Sequence, residues 1–299
     1  MHTVVMPQHP DAVALTFDTV VKAREVKEAL IDAMSNGRLT EVDLVPARSA
    51  DSLELVRVHT RQYVDAVRNG EPESIASSNG IGWDPHLFEI AAGSAGAIRD
   101  AALEAISTQG FVGALSAGLH HARSERGAGY CTFNGLVVAA RAALDAGARR
   151  VLILDLDAHC GGGTASIIST LVGVEQVDIA VNTFDRYTSD DQSRLITAVP
   201  DSYLQTVEQE LNRITDPARI DLVIHNAGMD VHEQAGGPRG IDTDMVALRE
   251  QMVFEWARSH SLPVAWTLAG GYQSSSFSLR DVAQLHLLTP SAAIAAAAR

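Results

Sequence analysis

Short, unbroken apolar runs alternate along the chain with stretches whose apolar residues recur at three-and-four spacing. The runs cover residues 111–115, 151–154, 179–181, 222–224 and 263–268, and stretches such as 134–146 and 242–259 separate them. A run that is apolar at every position marks a strand covered on both faces, and the helical periods between runs supply crossovers. The pattern therefore predicts an α/β fold with an open, mostly parallel sheet and helices on both faces. The first third reads more helical, over residues 14–34, 51–67 and 85–106. With no fixed-period repeat, low-complexity block or Pro/Ser-rich linker, residues 1–299 are expected to form a single domain. The Gly-, Ser- and Glu-rich stretch 70–82 is the expected long loop, placed to rim a pocket, and the Ala-rich stretch 292–298 reads as a frayed helix end.

Polar groups follow four of the runs directly. After the first comes Ala117-Gly118-Leu119-His120-His121-Ala122, after the second Asp155-Leu156-Asp157-Ala158-His159, after the fourth Asn226-Ala227-Gly228-Met229-Asp230, and after the fifth Ala269-Gly270-Gly271-Tyr272. The carboxyl ends of parallel strands lie along one edge of the sheet, where ligand crevices form, so segments far apart in sequence are expected to converge. Buried carboxylates and imidazoles need partners, and a metal ion supplies one. Asp157 and His159 sit at alternate positions and would face the same side if the strand continued through them. With Asp230 as third ligand, the set suits zinc or a similar divalent ion and leaves a position open for water. Taken singly, each piece has a plainer explanation: a loop cap, a structural histidine pair, a turn with a packed aromatic. All four in this order argue for a site.

Composition narrows the function. Hydrophobic residues make up 46% and charged residues 20%, as in a globular enzyme. The net charge of −14 opposes a nucleic-acid backbone and favours cationic ligands. Two cysteines, Cys131 and Cys160, are too few for a disulfide framework. With no basic, apolar leader and no apolar run long enough to span a bilayer, the expected location is cytoplasmic, without a membrane partner.

The segments 117–122 and Gly129-Tyr130-Cys131-Thr132-Phe133-Asn134 closely resemble the paired-histidine segment of class I histone deacetylases. The segments 155–159, 227–230 and 268–272 resemble the other site segments of the histone deacetylase and acetylpolyamine amidohydrolase family. Val56-Arg57-Val58-His59-Thr60-Arg61-Gln62-Tyr63 resembles a structural stretch upstream, so the likeness runs from about residue 51 to 272. It implies an arginase/deacetylase fold and a metal-dependent hydrolase cleaving a linear amide, with acetyl-lysine, acetylpolyamine or a related small acylated amine as substrate. Asp157, His159 and Asp230 would bind zinc or ferrous iron, His120 and His121 would handle protons, and Tyr272 would stabilise the oxyanion. Asp155 would orient His120 and, with backbone carbonyls of Asp157 and His159, touch a monovalent cation, usually potassium. Gly129 and Tyr130, with Gly270 and Gly271, would line the substrate tunnel, and the two cysteines would be packing residues.

Three departures from the family pattern carry expectations. Gly162 stands where the family has an Asp or Asn supporting its second histidine, which leaves His121 without its usual partner. The family's rim Asp has no counterpart, Asn79 or Gly80 falling near it, so a small cationic acylated amine is favoured over a peptide. The segment Phe184-Asp185-Arg186-Tyr187 replaces the usual Pro-Gly pattern and leaves Phe184 or Tyr187 as the second tunnel wall. Two other readings compete: an arginase-like binuclear manganese ureohydrolase, for which Gly161 and His232 stand where further carboxylates are wanted, and a catalytically silent binder of acylated amines. The sequence does not indicate an oligomeric state.

Overall fold

The computed structural model describes residues 2–7, 18–39 and 42–299. Among these, eight strands form one parallel sheet: β1 (His2–Met6), β2 (Val42–Pro46), β3 (Phe111–Ala114), β4 (Val151–Asp155), β5 (Val174–Ala180), β6 (Ser193–Thr197), β7 (Leu222–Ala227) and β8 (Val264–Leu268). Their order is β2-β1-β3-β8-β7-β4-β5-β6. This is the open parallel sheet expected of the apolar runs, in keeping with the arginase/deacetylase fold that the motif resemblance implies. Strands β4, β7 and β8 lie at its centre and are buried at every position, which is why they read as unbroken apolar runs. The edge strands β2 and β6 and the next strand in, β1, are partly exposed, and nothing in the hydrophobic pattern singled them out.

Alternate side chains of the central strands feed two cores. On one face Leu152, Leu154, Val223, Val264 and Trp266 pack with the helices Asp18–Ser35, Tyr203–Asn212 and Thr243–Ser259. On the other, Val151, Ile153, Leu222, Ile224 and Ala265 pack with Leu87–Thr108 and Gly135–Asp145. Each such aliphatic side chain contributes about 1.5–3 kcal/mol by leaving water. The cores therefore hold the strand ends rigidly, and with them the polar segments that follow.

The helical stretches are found with shifted ends. The first spans Asp18–Ser35, and the part of its expected range at 14–17 lies outside the described residues. The stretch 51–67 is two helices, Ser52–Leu55 and Arg61–Asn69, because Thr60 caps a second N-terminus, its hydroxyl accepting from the Tyr63 N–H at 3.3 Å. The loop at 70–82 holds a short helix, Glu73–Ala76, and the Ala-rich end belongs to the helix Leu288–Ala297.

Candidate active site

In the order β3-β8-β7-β4-β5, the carboxyl ends of five neighbouring strands open onto one crevice. The chain leaves β4 at Asp155, so Asp157 and His159 lie beyond the strand rather than on its continuation. A turn brings them together instead: the Asp155 carboxylate accepts from the Asp157 N–H (3.2 Å), and the Asp157 carboxylate from the His159 N–H (3.0 Å). The Asp230 carboxylate, from the loop after β7, accepts from the Ala158 N–H at 3.0 Å.

Asp157, His159 and Asp230 thus offer one ligand atom each, all within 4.8 Å of one another, and no other such group of His, Cys, Asp or Glu occurs among the described residues. The His159 Nδ1 lies 3.3 Å from Asp157 Oδ1 and 3.0 Å from Asp230 Oδ2. Asp157 Oδ2 accepts from the Gly270 N–H at 2.7 Å, which leaves Oδ1 for the shared point. A Cβ at Gly270 would run into the Asp230 carboxylate, so glycine clears the space the ligand occupies. Burial would lower the His159 pKa, but the two carboxylates raise it to about 10, so without metal an imidazolium neutralises this corner. Against burial, His120 and His159 hold Asp157 well below the usual carboxylate range, whereas burial and Asp157 push Asp230 above its own. Two fully buried carboxylates around one imidazole nitrogen fit a divalent cation of zinc type.

His120 and His121 stand beside this group with ring centroids 3.9 Å apart. The His120 Nδ1 is 2.9 Å from Asp155 Oδ2, and its Nε2 lies 3.6 Å from Asp157 Oδ1. Asp155 is held in turn by the Asn226 amide at 2.8 Å. Burial lowers the His120 pKa, yet Asp155 and Asp157 outweigh it and carry the value to about 10; burial and His120 push His121 down to about 4. His121 has a partner after all: its Nδ1 lies 2.9 Å from Asp185 Oδ2. The expectation that Gly162 leaves it unsupported is corrected, because a carboxylate from the loop after β5 takes the role.

A small pocket is lined by His120, His121, Gly129, Asp157, Gly270 and Tyr272 among others. Tyr272 is fixed by its N–H donating to the Ala235 carbonyl at 2.8 Å, and burial with Asp230 nearby raises its phenol pKa, so it stays a hydrogen-bond donor. Beneath it Lys22, buried, donates to the Ala269 carbonyl at 2.6 Å and sits 5.5 Å from the Tyr272 ring centroid, a support that sequence reasoning missed. Gly271 faces Met229, Val282 and His286 behind the wall rather than the pocket.

Gly129 and Tyr130 form the centre of the turn Ala128–Cys131, both with positive φ (49° and 65°). Gly129 is required twice over, by that conformation and because a Cβ would strike the His121 ring. Phe184 stands edge-on to His121 and His159, with ring centroids 5.0 and 5.9 Å away. Tyr187 does not: its hydroxyl is buried and its neighbour is Asp178. Asn79 is buried and bonded to Thr132 Oγ1 (2.8 Å) and the Ile81 N–H (2.9 Å), so it is no rim residue, and Gly80 packs under the Tyr130 ring. Cys131 and Cys160 are free and buried, and burial pushes both thiols up, Cys160 to about 12, which suits packing rather than nucleophilic roles.

Comparison with known proteins agrees with this arrangement. Residues 19–193 match the family model for the histone deacetylase domain. Histone deacetylase 2 of Arabidopsis thaliana is 27% identical over 262 residues, covering 81% of this chain and 67% of the relative. An uncharacterised protein of Picosynechococcus is 30% identical over 258 residues, 81% of this chain and 82% of its own. The acetoin utilization protein AcuC of Staphylococcus aureus is 29% identical over 136 residues, 42% and 35% of the respective chains. The solved HDA15 HD domain superposes with a TM-score of 0.72 at 20% identity, covering 98% of this chain and 90% of that one, a likeness of fold. The family model takes in more than half of the chain, and the chain belongs to the histone deacetylase family.

Proposed function

We propose that the protein is a single-metal deacetylase that hydrolyses an acylated amine, the whole chain acting as one catalytic unit. One observation carries this reading: Asp157, one of three clustered ligands, lines a pocket whose wall also carries His120, His121 and Tyr272. Zinc or ferrous iron, held by Asp157, His159 and Asp230, would acidify a water and polarise the amide carbonyl. His121, neutral and with its Nδ1 engaged, offers Nε2 to take the water proton and return it to the leaving amine. His120, kept charged by Asp155, and the Tyr272 hydroxyl would face the developing oxyanion. Gly129, Tyr130 and Phe184 would hold the apolar stem of the substrate.

A monovalent cation such as potassium beside Asp155 and the Asp157 and His159 carbonyls belongs to the same reading. Support comes from Asp178, which pairs with Asp155 across β5 and β4; both side chains are fully buried, and burial and Asp155 push the Asp178 carboxyl well above its usual range. The binuclear manganese alternative loses ground because both nitrogens of His232 are occupied, by Thr243 Oγ1 and the Gln234 N–H, each at 3.1 Å. Two buried, unpaired thiols support a reducing, cytoplasmic setting. Metal analysis with turnover of a fluorogenic acetyl-lysine substrate tests the proposal. One tightly bound ion and turnover are expected; two manganese ions with urea release, or binding without turnover, would overturn it.

A further inference from the structure

The residue that supports His121 comes from a different strand end than the one the family uses, and two features of the chain compensate each other there. Position 162 carries no side chain, and a Cβ built on Gly162 would meet the Asp185 carbonyl and come within 2.8 Å of Asp185 Oδ1. The Asp185 carboxylate therefore occupies the space that a side chain at 162 would fill. It is largely buried, at 8% side-chain exposure, and both of its oxygens are engaged. Oδ2 accepts from the Gly163 N–H (3.1 Å) and lies 2.9 Å from His121 Nδ1, and Oδ1 accepts from Arg123 Nη2 at 2.5 Å. Arg123 Nη1 also donates to the His121 carbonyl at 3.3 Å, so side chain and backbone of His121 are tied to one ion pair. Asp185 has φ +60°, a conformation that Asp tolerates better than most residues and one that persists where surroundings enforce it.

We propose that Asp185 is the positioning residue of His121, fixing its Nδ1–H tautomer so that Nε2 presents a lone pair to the pocket, and that Gly162 is the clearance this substitution of partners requires. The inference rests on the deacetylase reading for its catalytic consequence but not for its geometry. A carboxylate that accepts only from Nδ1–H selects that tautomer, and Arg123 keeps the carboxylate ionised and oriented.

The test measures the His121 tautomer by 15N NMR in metal-free protein, and kcat and KM of the metal-loaded enzyme on an acetyl-lysine substrate. In Asp185→Ala the imidazole should leave the pure Nδ1–H form, with kcat down about 10- to 100-fold and KM within about twofold of wild type. Asp185→Asn keeps the shape but sets an amide NH2 against donors, so it should also shift His121 toward the Nε2–H form and lower kcat with the fold intact, which a merely structural role would not do. Asp185→Ala with the wild-type tautomer and kcat would overturn the proposal. So would a folded Asp185→Asn that keeps the wild-type tautomer and kcat. A wild-type protein that turns over no acetyl-lysine substrate would refute the deacetylase reading, and the tautomer measurement would still decide the role of Asp185.

Discussion

Acidification from pH 7 to pH 5 should draw stability out of the fold through His59, which lies between the two segments that frame the catalytic histidines. Its ring is 2% exposed, with Nδ1 2.9 Å from the Arg123 carbonyl and Nε2 accepting from the Asn134 N–H at 3.0 Å. That pairing fits only the neutral Nδ1–H tautomer, because a second ring proton would face the Asn134 N–H. Burial accordingly pushes the pKa from 6.5 to about 4. A histidine depressed in the folded state stabilises it fully above the unfolded pKa, and the contribution is lost as the pH falls through the window from 6.5 toward 4. A shift of about 2.5 units corresponds to at most about 3.4 kcal/mol, and about 2 kcal/mol of that is gone by about pH 5. His2 and His121 are also pushed down to about 4, so the wild-type slope alone does not isolate His59. The informative quantity is a difference: urea unfolding of wild type and His59→Gln, both stripped of metal, at pH 7, 6 and 5. His59→Gln should be less stable at pH 7 yet lose about 2 kcal/mol less on going to pH 5. Parallel losses in the two proteins would refute the argument.

Asp157→Ala or His159→Ala should abolish both metal content and activity, since an open site does not tolerate the loss of one of three ligands; full metal retention in both variants, measured by elemental analysis, would exclude the assignment. Tyr272→Phe should keep the metal and lower kcat by about 10²- to 10³-fold, the cost of one oxyanion donor; an unchanged kcat would remove Tyr272 from the chemistry. Small cationic acylated amines should show a higher kcat/KM than acetylated peptides, given the net charge of −14 and the absence of a rim carboxylate at Asn79, and added salt should erode the preference. A higher kcat/KM for acetyl-lysine peptides at low salt would contradict it.

The candidate site groups were legible because each comes soon after an apolar run inside a strand: His120 after β3, Asp155 at the end of β4 with Asp157 and His159 beyond it, Asp230 after β7, Tyr272 after β8. A parallel sheet turns that linear rule into a spatial one, so the convergence of four distant segments follows from topology alone. Legibility ended where proximity is decided between loops. Asp185 sits after β5, next to β4 in the sheet, and the only trace of its role was a pair of departures, a carboxylate missing at 162 and one present at 185. Reading those together requires knowing that β4 and β5 are neighbours in register, Asp155 opposite Asp178. The strands β1, β2 and β6, at or next to the sheet edges, were missed because they are partly exposed and so not apolar at every position, and the break at His59-Thr60 because an N-cap inside an apolar period leaves the period intact.

Phe184 and Asp185 are consecutive, one packing edge-on against His121 and His159, the other gripping His121 from behind. On the proposed reading, selectivity for the substrate stem and the strength of the proton-transfer group would therefore be set by the same two peptide units. Widening the slot by reshaping this loop would loosen the base, and stiffening the base would freeze the slot. On the same reading, substrate range would be more readily altered at Tyr130, which is 39% exposed. A directed-evolution library confined to that residue would explore specificity while leaving Gly129 and the histidine pair in place.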